Sequence, residues 1–239
     1  MSKLITYLKI ILVIALVAFL YGFAQFKNKQ QKLTNIQIHF EEQQPRFLTK
    51  GGVEKILIKA IPNIKSKLIR KVNLNLLENT LQANKMIENV EVYATPKGML
   101  HVNITQRVPI ARLSANGKIF YMDRNGEDMP LSPNYSARVP LVTGVGSVAD
   151  KAAVFQFIKT IEKDDFYKKQ IIGIHKKING DYLLSTRIGK HKILFGKFED
   201  VADKLNKLQV FYSKEWETET INKYTLINLK YNNQVVCSK

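Results

Sequence analysis

The sequence has a single cysteine, Cys237, so a disulfide within the chain is excluded, and so is a metal site that needs two or more thiolates. Acidic residues are also scarce, because 20 Asp and Glu face 37 Lys and Arg, a formal net charge of +17. The four histidines, His39, His101, His175 and His191, are scattered, with no i,i+4 pairing and no carboxylate at metal spacing. We therefore expect no metal and no cofactor.

Catalytic motifs are missing as well. The fragment closest to a nucleophile elbow is Gly144-Val145-Gly146-Ser147, which lacks the second half of the motif. Gly144 and Gly146 also stand without the third glycine of a dinucleotide-binding loop, and there is no phosphate-binding P-loop. These absences predict a protein that is not an enzyme.

The excess of positive charge is mostly lysine, dispersed along the chain with little aromatic interleaving. Grooves that bind nucleic acid combine basic and aromatic side chains, so we expect no nucleic-acid partner. The simpler interpretation is a domain that works near anionic lipid headgroups or anionic polymers.

The N-terminal segment is strongly apolar. Leu4 to Phe26 carries one charge, Lys9, and as a helix would rise roughly 35 Å at about 1.5 Å per residue, enough for a bilayer core. Gly22-Phe23-Ala24 has the small-x-small form of a signal-peptide cleavage site, but the bulky residues around it favour an uncleaved anchor. We predict a short cytoplasmic tail, a transmembrane helix and a linker over residues 1–32, with the rest of the chain outside the cytoplasm.

Residues 33–108 predict a small domain in the order strand, helix, helix, strand, strand. Ile36, Ile38 and Phe40 alternate with polar residues, as in a half-buried strand. Apolar residues then recur at helical spacing in two segments, and two alternating segments follow around a Pro-Lys-Gly turn. The apolar positions are Val53, Ile56, Leu57 and Ala60, then Leu74, Leu77 and Leu81, and finally Val90, Val92, Leu100, Val102 and Ile104.

Residues 109–239 differ from the preceding residues in the dipeptides that mark their turns. Asn-Gly, the strongest short hairpin signal, occurs at residues 116–117, 125–126 and 179–180 and never before residue 109. We predict a mainly antiparallel β-domain with two helices, near residues 149–162 and 198–214, and a final strand from Tyr224 to Val236. The fold class of the whole chain is therefore α+β, with an N-terminal transmembrane helix.

The acidic segment Met122-Asp-Arg-Asn-Gly-Glu-Asp-Met-Pro130 suggests a calcium loop at first sight. An EF-hand loop that starts at Asp123 needs Gly at position 6 and Glu at position 12, but Gly126 is fourth and Asn134 is twelfth. We predict a hairpin turn instead, with Asp123 and Glu127 on its solvated ends.

The strand-helix-helix-strand-strand module after an apolar helix resembles a POTRA domain. Further along, the segments Val108–Ala111, Phe120–Glu127 and Val139–Gly144 resemble, in order, the P-x-A strand, the D-x-x-G turn and the P-x-x-T-G segment of the FtsQ/DivIB cell-division family. Ile227–Tyr231 is similar to the last strand of that family, with Asn228 and Lys230 in place of its usual Asp and Arg. The match covers nearly the whole chain.

The resemblance implies a bitopic, non-enzymatic divisome scaffold of the cytoplasmic (inner) membrane, with its bulk in the periplasm. Family members bind FtsB and FtsL, small coiled-coil proteins, outside the membrane and so help to regulate septal peptidoglycan synthesis. The partner adds a strand to the C-terminal edge of the β-domain, with the neighbouring helix, residues 198–214, as a second wall. The partner-binding residues implied here are Tyr224, Leu226, Ile227, Leu229, Lys230 and Tyr231.

Two alternatives stay open. Alternation along the last strand does not decide which of its faces is core and which is contact. A POTRA-containing envelope protein of outer-membrane assembly or secretion is the second function that the domain order allows.

Overall fold

The computed structural model describes residues 2–29, 31–41, 47–115, 117–217, 221–231 and 234–239. The chain separates into two compact units, Met1–Gln106 and Arg107–Lys239, and each has a hydrophobic core of its own.

The first helix, α1, spans Ser2–Lys29. The predicted transmembrane helix is wrong, because in the part of the chain that the structure describes no helix is long and apolar enough to cross a membrane. Cleavage at Ala24, whose side chain lies outside the described part, stays the open alternative to the predicted uncleaved segment.

The rest of the first unit has the predicted order of strands and helices. Its elements are β1 (Asn35–Phe40), α2 (Lys50–Ala60), α3 (Leu74–Gln82), β2 (Ile87–Ala94) and β3 (Met99–Gln106). The strands form a sheet in the order β1-β3-β2, in which β3 runs parallel to β1 and antiparallel to β2. Two 3₁₀ turns, Ile64–Ser66 and Ile69–Lys71, connect α2 to α3.

Side-chain caps define where the two helices of this unit begin. The Thr49 hydroxyl accepts a hydrogen bond from the backbone N–H of Gly52, and the Asn73 side chain accepts one from the N–H of Leu76. Behind the caps, Leu57 and Leu77 are fully buried in the core against the sheet. The apolar spacing that predicted both helices is therefore the spacing of their core-facing sides.

The second unit is built around a mixed sheet. Its elements are β4 (Pro109–Ala115), β5 (Lys118–Asp123), β6 (Asp128–Met129), β7 (Leu141–Thr143), α4 (Val148–Ile161), α5 (Asp165–Gln170), β8 (Ile171–Lys176), β9 (Tyr182–Thr186), β10 (Lys192–Gly196), α6 (Val201–Glu217), β11 (Leu226–Asn228) and β12 (Val236–Ser238). Within the described residues the strand order is β12-β11-β10-β9-β8-β7-β4-β5-β6. Apolar side chains of all three helices join those of the sheet in one core.

The predicted final strand, Tyr224 to Val236, is divided in the structure. Among the described residues of this segment, only Leu226–Asn228 and Val236–Ser238 are strands, and they pair with each other antiparallel, with Leu226 opposite Ser238. Alternation alone could not show this, because the alternating pattern continues through Lys230, whereas β11 ends at Asn228. The short elements β7 and α5 were not predicted either.

The acidic segment at residues 122–130 is a turn between β5 and β6, and Gly126 takes a positive φ of 82° there. The prediction that Asp123 is solvated is wrong, because its side chain is fully buried. One carboxylate oxygen accepts hydrogen bonds from the N–H groups of Asn125 (2.9 Å) and Glu127 (2.8 Å). The other pairs with Arg107 at 2.7 Å. The carboxylate therefore organises the turn from inside.

Candidate functional site

Near the C-terminal edge of the sheet in the second unit, β11 is the second strand from the edge and pairs in parallel with β10. Ile193 lies opposite Ile227, and the N–H of Leu229 continues the pairing with a 3.0 Å bond to the carbonyl of Leu194. Ile227 and Leu229 are fully buried in the core. Of the six residues predicted to bind a partner, these two therefore lie on the inner face of the sheet.

An ion pair of Lys230 links the segment after β11 to the turn between β8 and β9. Its ammonium group lies 2.8 Å from the carboxylate of Asp181, whose side chain is only 9% exposed. The hydrogen bond from Lys230 is the main cause that lowers the pKa of Asp181. Gly196 leaves room for the lysine stem, since a Cβ there would lie 2.8 Å from Lys230 Cγ. Lysine in place of the usual arginine thus still makes an ion pair in this chain.

The edge position of the sheet belongs to β12 and not to β11. Cys237 lies opposite Ile227, and the N–H of Thr225 donates to the carbonyl of Ser238 at 2.9 Å. Within the described part of the chain, no strand pairs with the outer side of β12. Its outward N–H and C=O groups are the hydrogen-bonding groups that an added strand would use.

The remaining predicted residues lie around this edge and are at least partly exposed. Tyr224 packs its ring against Phe211 of α6, with centroids 5.7 Å apart. Leu226 is half-buried on the side of β11 away from the core, and Tyr231 is 50% exposed. The structure thus brings four of the six side chains, including Lys230, to the surface near the C-terminal edge.

A groove of about 460 Å³ lies between α6 and the chain just before β12. Val210, Phe211 and Val235 supply its apolar lining, and Lys207 and Lys214 add positive charge. Val210 is 72% exposed and therefore presents its apolar side chain at the surface of the groove. The Lys207 ammonium donates to the carbonyl of Tyr231 at 2.9 Å and so links the helix to the C-terminal segment.

Buried polar contacts connect α6 to the residue before β10 and to α5. Nε2 of His191 lies 2.6 Å from the hydroxyl of Tyr212, and the hydroxyl of Tyr167 donates to the carbonyl of Leu205 at 2.6 Å. Burial lowers the pKa of His191 and raises the pKa of both tyrosines, so all three are neutral at pH 7. The helix that forms one wall of the groove is therefore fixed in position.

Sequence analysis predicted α6 as a second wall but missed the groove and β12. The signal in the sequence was Val210, an apolar residue out of step with the core positions Leu205, Leu208 and Tyr212. The role of Val236–Ser238 had no comparable signal, because an edge position depends on which strands pair.

The groups at this site are of the kinds that bind a segment of another protein. Among the described residues, no three His, Cys, Asp or Glu side chains lie close enough together to hold a metal ion. The edge offers backbone hydrogen bonds, an apolar groove and lysine charge, a combination that suits a peptide segment.

Sequence comparisons now define the class of the protein. A model of the POTRA-like domain matches residues 31–105, and a model described as FtsQ/DivIB, C-terminal related, matches residues 108–238. The protein is therefore a division-related POTRA protein. Because the second match covers more than half of the chain, the chain belongs to the FtsQ/DivIB family, whose members are of a non-enzymatic scaffold type and are associated with the inner membrane.

Other comparisons add little. No curated protein matches the chain. Among solved structures, one similar chain is described as POTRA1-2 of the periplasmic domain of Omp85 from Anabaena, with 12% identity over 65% of this chain and 93% of that one. The TM-score of 0.28 is too low for this likeness to support any statement about fold or function.

Proposed function

We propose that this protein is a divisome scaffold that binds FtsB/FtsL-like partners by strand addition at the outer edge of β12. It acts on the extracytoplasmic side, in association with the inner membrane, and through these partners helps to regulate septal peptidoglycan synthesis. Family membership supports the cellular process, and the geometry of the C-terminal edge supports the binding mode.

The single observation that carries the proposal is an open sheet edge beside an apolar groove. An added strand would form backbone hydrogen bonds with β12, which supply affinity without reading the partner's sequence. Specificity then has to come from side chains, and Val210 and Phe211 in the groove offer an apolar site for them. Lys207 and Lys214 favour a partner segment that carries acidic residues near its apolar ones.

The predicted partner-binding residues divide into two groups in this proposal. Tyr224, Leu226 and Tyr231 contact the partner directly from the surface around the edge. Ile227, Leu229 and Lys230 act indirectly, because the first two anchor β11 in the core and Lys230 ties the following segment to Asp181.

The groove gives the first test. We expect Val210→Asp in the full-length chain to reduce co-purification of an FtsB/FtsL-like protein at least about tenfold, because a carboxylate in an apolar contact costs more than about 1.4 kcal/mol. Tagged protein is purified from cell membranes, and partners are measured by quantitative mass spectrometry.

Val148→Asp is the matched control, since Val148 is 87% exposed and does not line the groove. It makes the same chemical change and should leave the yield of partner unchanged. The groove is not part of the binding site if Val210→Asp retains the partner while its unfolding curve equals that of the wild type. The proposed function itself fails if no small coiled-coil division protein accompanies the wild-type chain.

A further inference from the structure

Three segments of the first unit are joined by backbone hydrogen bonds where the chain passes from α1 to β1. The N–H of Leu33 donates to the carbonyl of Lys67 at 2.8 Å, and the N–H of Ile69 donates to the carbonyl of Gln31 at 3.0 Å. On the other side, the N–H of Thr34 donates to the carbonyl of Gly98 at 2.8 Å. Residues 31–34 thus lie between the 3₁₀ turn of residues 69–71 and the turn that joins β2 to β3.

Gly98 makes this close approach possible. Its φ is +87°, and a Cβ at this position would lie 2.5 Å from the carbonyl oxygen of Lys32. A residue with a side chain would therefore push the β2–β3 turn away from Lys32.

The meeting of these segments gathers positive charge. Each of them carries exposed basic residues, and none of residues 31–34, 67–72 and 94–99 is acidic. The basic patch consists of Lys32, Lys67, Arg70, Lys71 and Lys97. No ion pair within the described part of the chain holds any of the five, whereas neighbouring Lys65 is paired with Glu54 at 2.6 Å. The patch is thus a concentration of five cations in a chain whose lysines are otherwise dispersed.

A shallow cleft of about 250 Å³ opens beside the patch. Its lining residues are Ile69, Arg70, Ala94, Thr95 and Pro96, so Arg70 brings the one charged side chain to the wall of a small and mostly apolar recess. Guanidinium groups bind phosphate through two parallel hydrogen bonds, which a dispersed set of lysines does not offer.

The exposed apolar side chains of the neighbouring helix, α1, favour a lipid surface over other polyanions as the ligand of the basic patch. From Ile10 to Phe23, α1 exposes apolar side chains, and α1 ends at Lys29, shortly before Lys32. A lipid surface takes up apolar and basic side chains together, whereas nucleic acid and acidic polysaccharides take up only the basic ones. Aromatic side chains that could stack on bases are also missing from the three segments.

We propose that the basic patch of the POTRA-like domain binds the anionic headgroups of a lipid surface, with Arg70 and its cleft as the principal phosphate contact. This places the first unit directly on the membrane surface. The proposal is independent of partner binding at β12, since all of the residues involved lie in the first unit.

The test is the partition of the full-length chain onto lipid vesicles. Vesicles of phosphatidylcholine with about 30% phosphatidylglycerol are compared with vesicles of phosphatidylcholine alone, and the quantity measured is the ratio of the two partition coefficients. Taking the ratio removes the contribution of the apolar side chains of α1, which is common to both vesicle types. We expect the triple variant Lys67→Gln, Arg70→Gln, Lys71→Gln to lower this ratio at least about tenfold at low salt.

The matched control is Lys50→Gln, Lys55→Gln, Lys59→Gln, which removes the same charge from three exposed positions of α2. The control should keep most of the wild-type ratio, and both variants should unfold at the wild-type temperature. The proposal is overturned if the control loses as much as the patch variant, because net charge alone would then explain binding. It is also overturned if only binding of a labelled single-stranded DNA, and not the vesicle ratio, depends on the patch.

Discussion

At the scale of single residues, Asp123 shows how a polar sequence motif can be structural. Its carboxylate is buried, and it accepts two turn N–H groups and an ion pair from Arg107. The D-x-x-G pattern is thus explained by physics: the carboxylate holds the turn, and Gly126 supplies the positive φ that the turn requires. Sequence reasoning identified the turn but not the burial, because Arg107 lies outside the motif.

We expect Asp123→Asn to lower the free energy of unfolding by about 2–4 kcal/mol, because it leaves the largely buried Arg107 without its counter-charge. Urea denaturation of the full-length chain measures this change. Asp128→Asn is the control, since Asp128 is 52% exposed in its pair with Lys151 and should contribute less than about 1 kcal/mol. Equal losses in the two variants would contradict a structural role for the buried carboxylate.

At the scale of elements, β7 shows why the short segment that ends at Gly144 has a defined sequence. Val142 lies between Leu113 of β4 and Ile174 of β8 in the middle of the sheet, so this strand of three residues has a partner strand on each side and its central side chain is fully buried. Gly144 follows with a φ of +75°, and a Cβ there would overlap the backbone carbonyl of Lys176. The alternation of apolar and polar residues does not reveal β7, because this strand is too short. Its position depends on its pairing with β4 and β8.

Gly144→Ala should therefore destabilise the protein by about 2–4 kcal/mol, through the left-handed backbone and the clash with Lys176. Gly146→Ala, two residues further on, meets no atom within 4 Å and should leave stability unchanged or raise it by up to about 1 kcal/mol. Thermal and urea unfolding of both variants give the comparison. A Gly144→Ala variant as stable as Gly146→Ala would show that the backbone there can move without cost.

The elements also show what sequence patterns can predict. Alternation and helical spacing predicted β1 to β3, both long helices of the second unit and its hairpins, because each of these buries one face along several residues. The division of the last strand into β11 and β12 was not predictable, since the pairing partner of β12 is another short strand of the same segment. The six-residue helix α5 is too short to show a helical period.

At the scale of the whole molecule, the chain combines two units with separate cores and separate surfaces for contact. The first unit carries the basic patch, and the second carries the open edge of β12 with its groove. The order of motifs along the chain was enough to predict the family, whereas the position of the partner-binding site stays a prediction. The partner-facing residues could be assigned only in part, because burial separates Ile227 and Leu229 from Leu226 and Tyr231.

The central claim is that a partner strand pairs with β12, and photocrosslinking in living cells tests it most directly. Val236 is 40% exposed on β12, and Ile178 is fully exposed in the turn after β8. Each is replaced in turn by benzoylphenylalanine in the full-length chain, and adducts are identified by mass spectrometry. We predict that position 236 gives an adduct with an FtsB/FtsL-like protein and that position 178 does not. An adduct of that partner at position 178 alone would contradict strand addition at this edge.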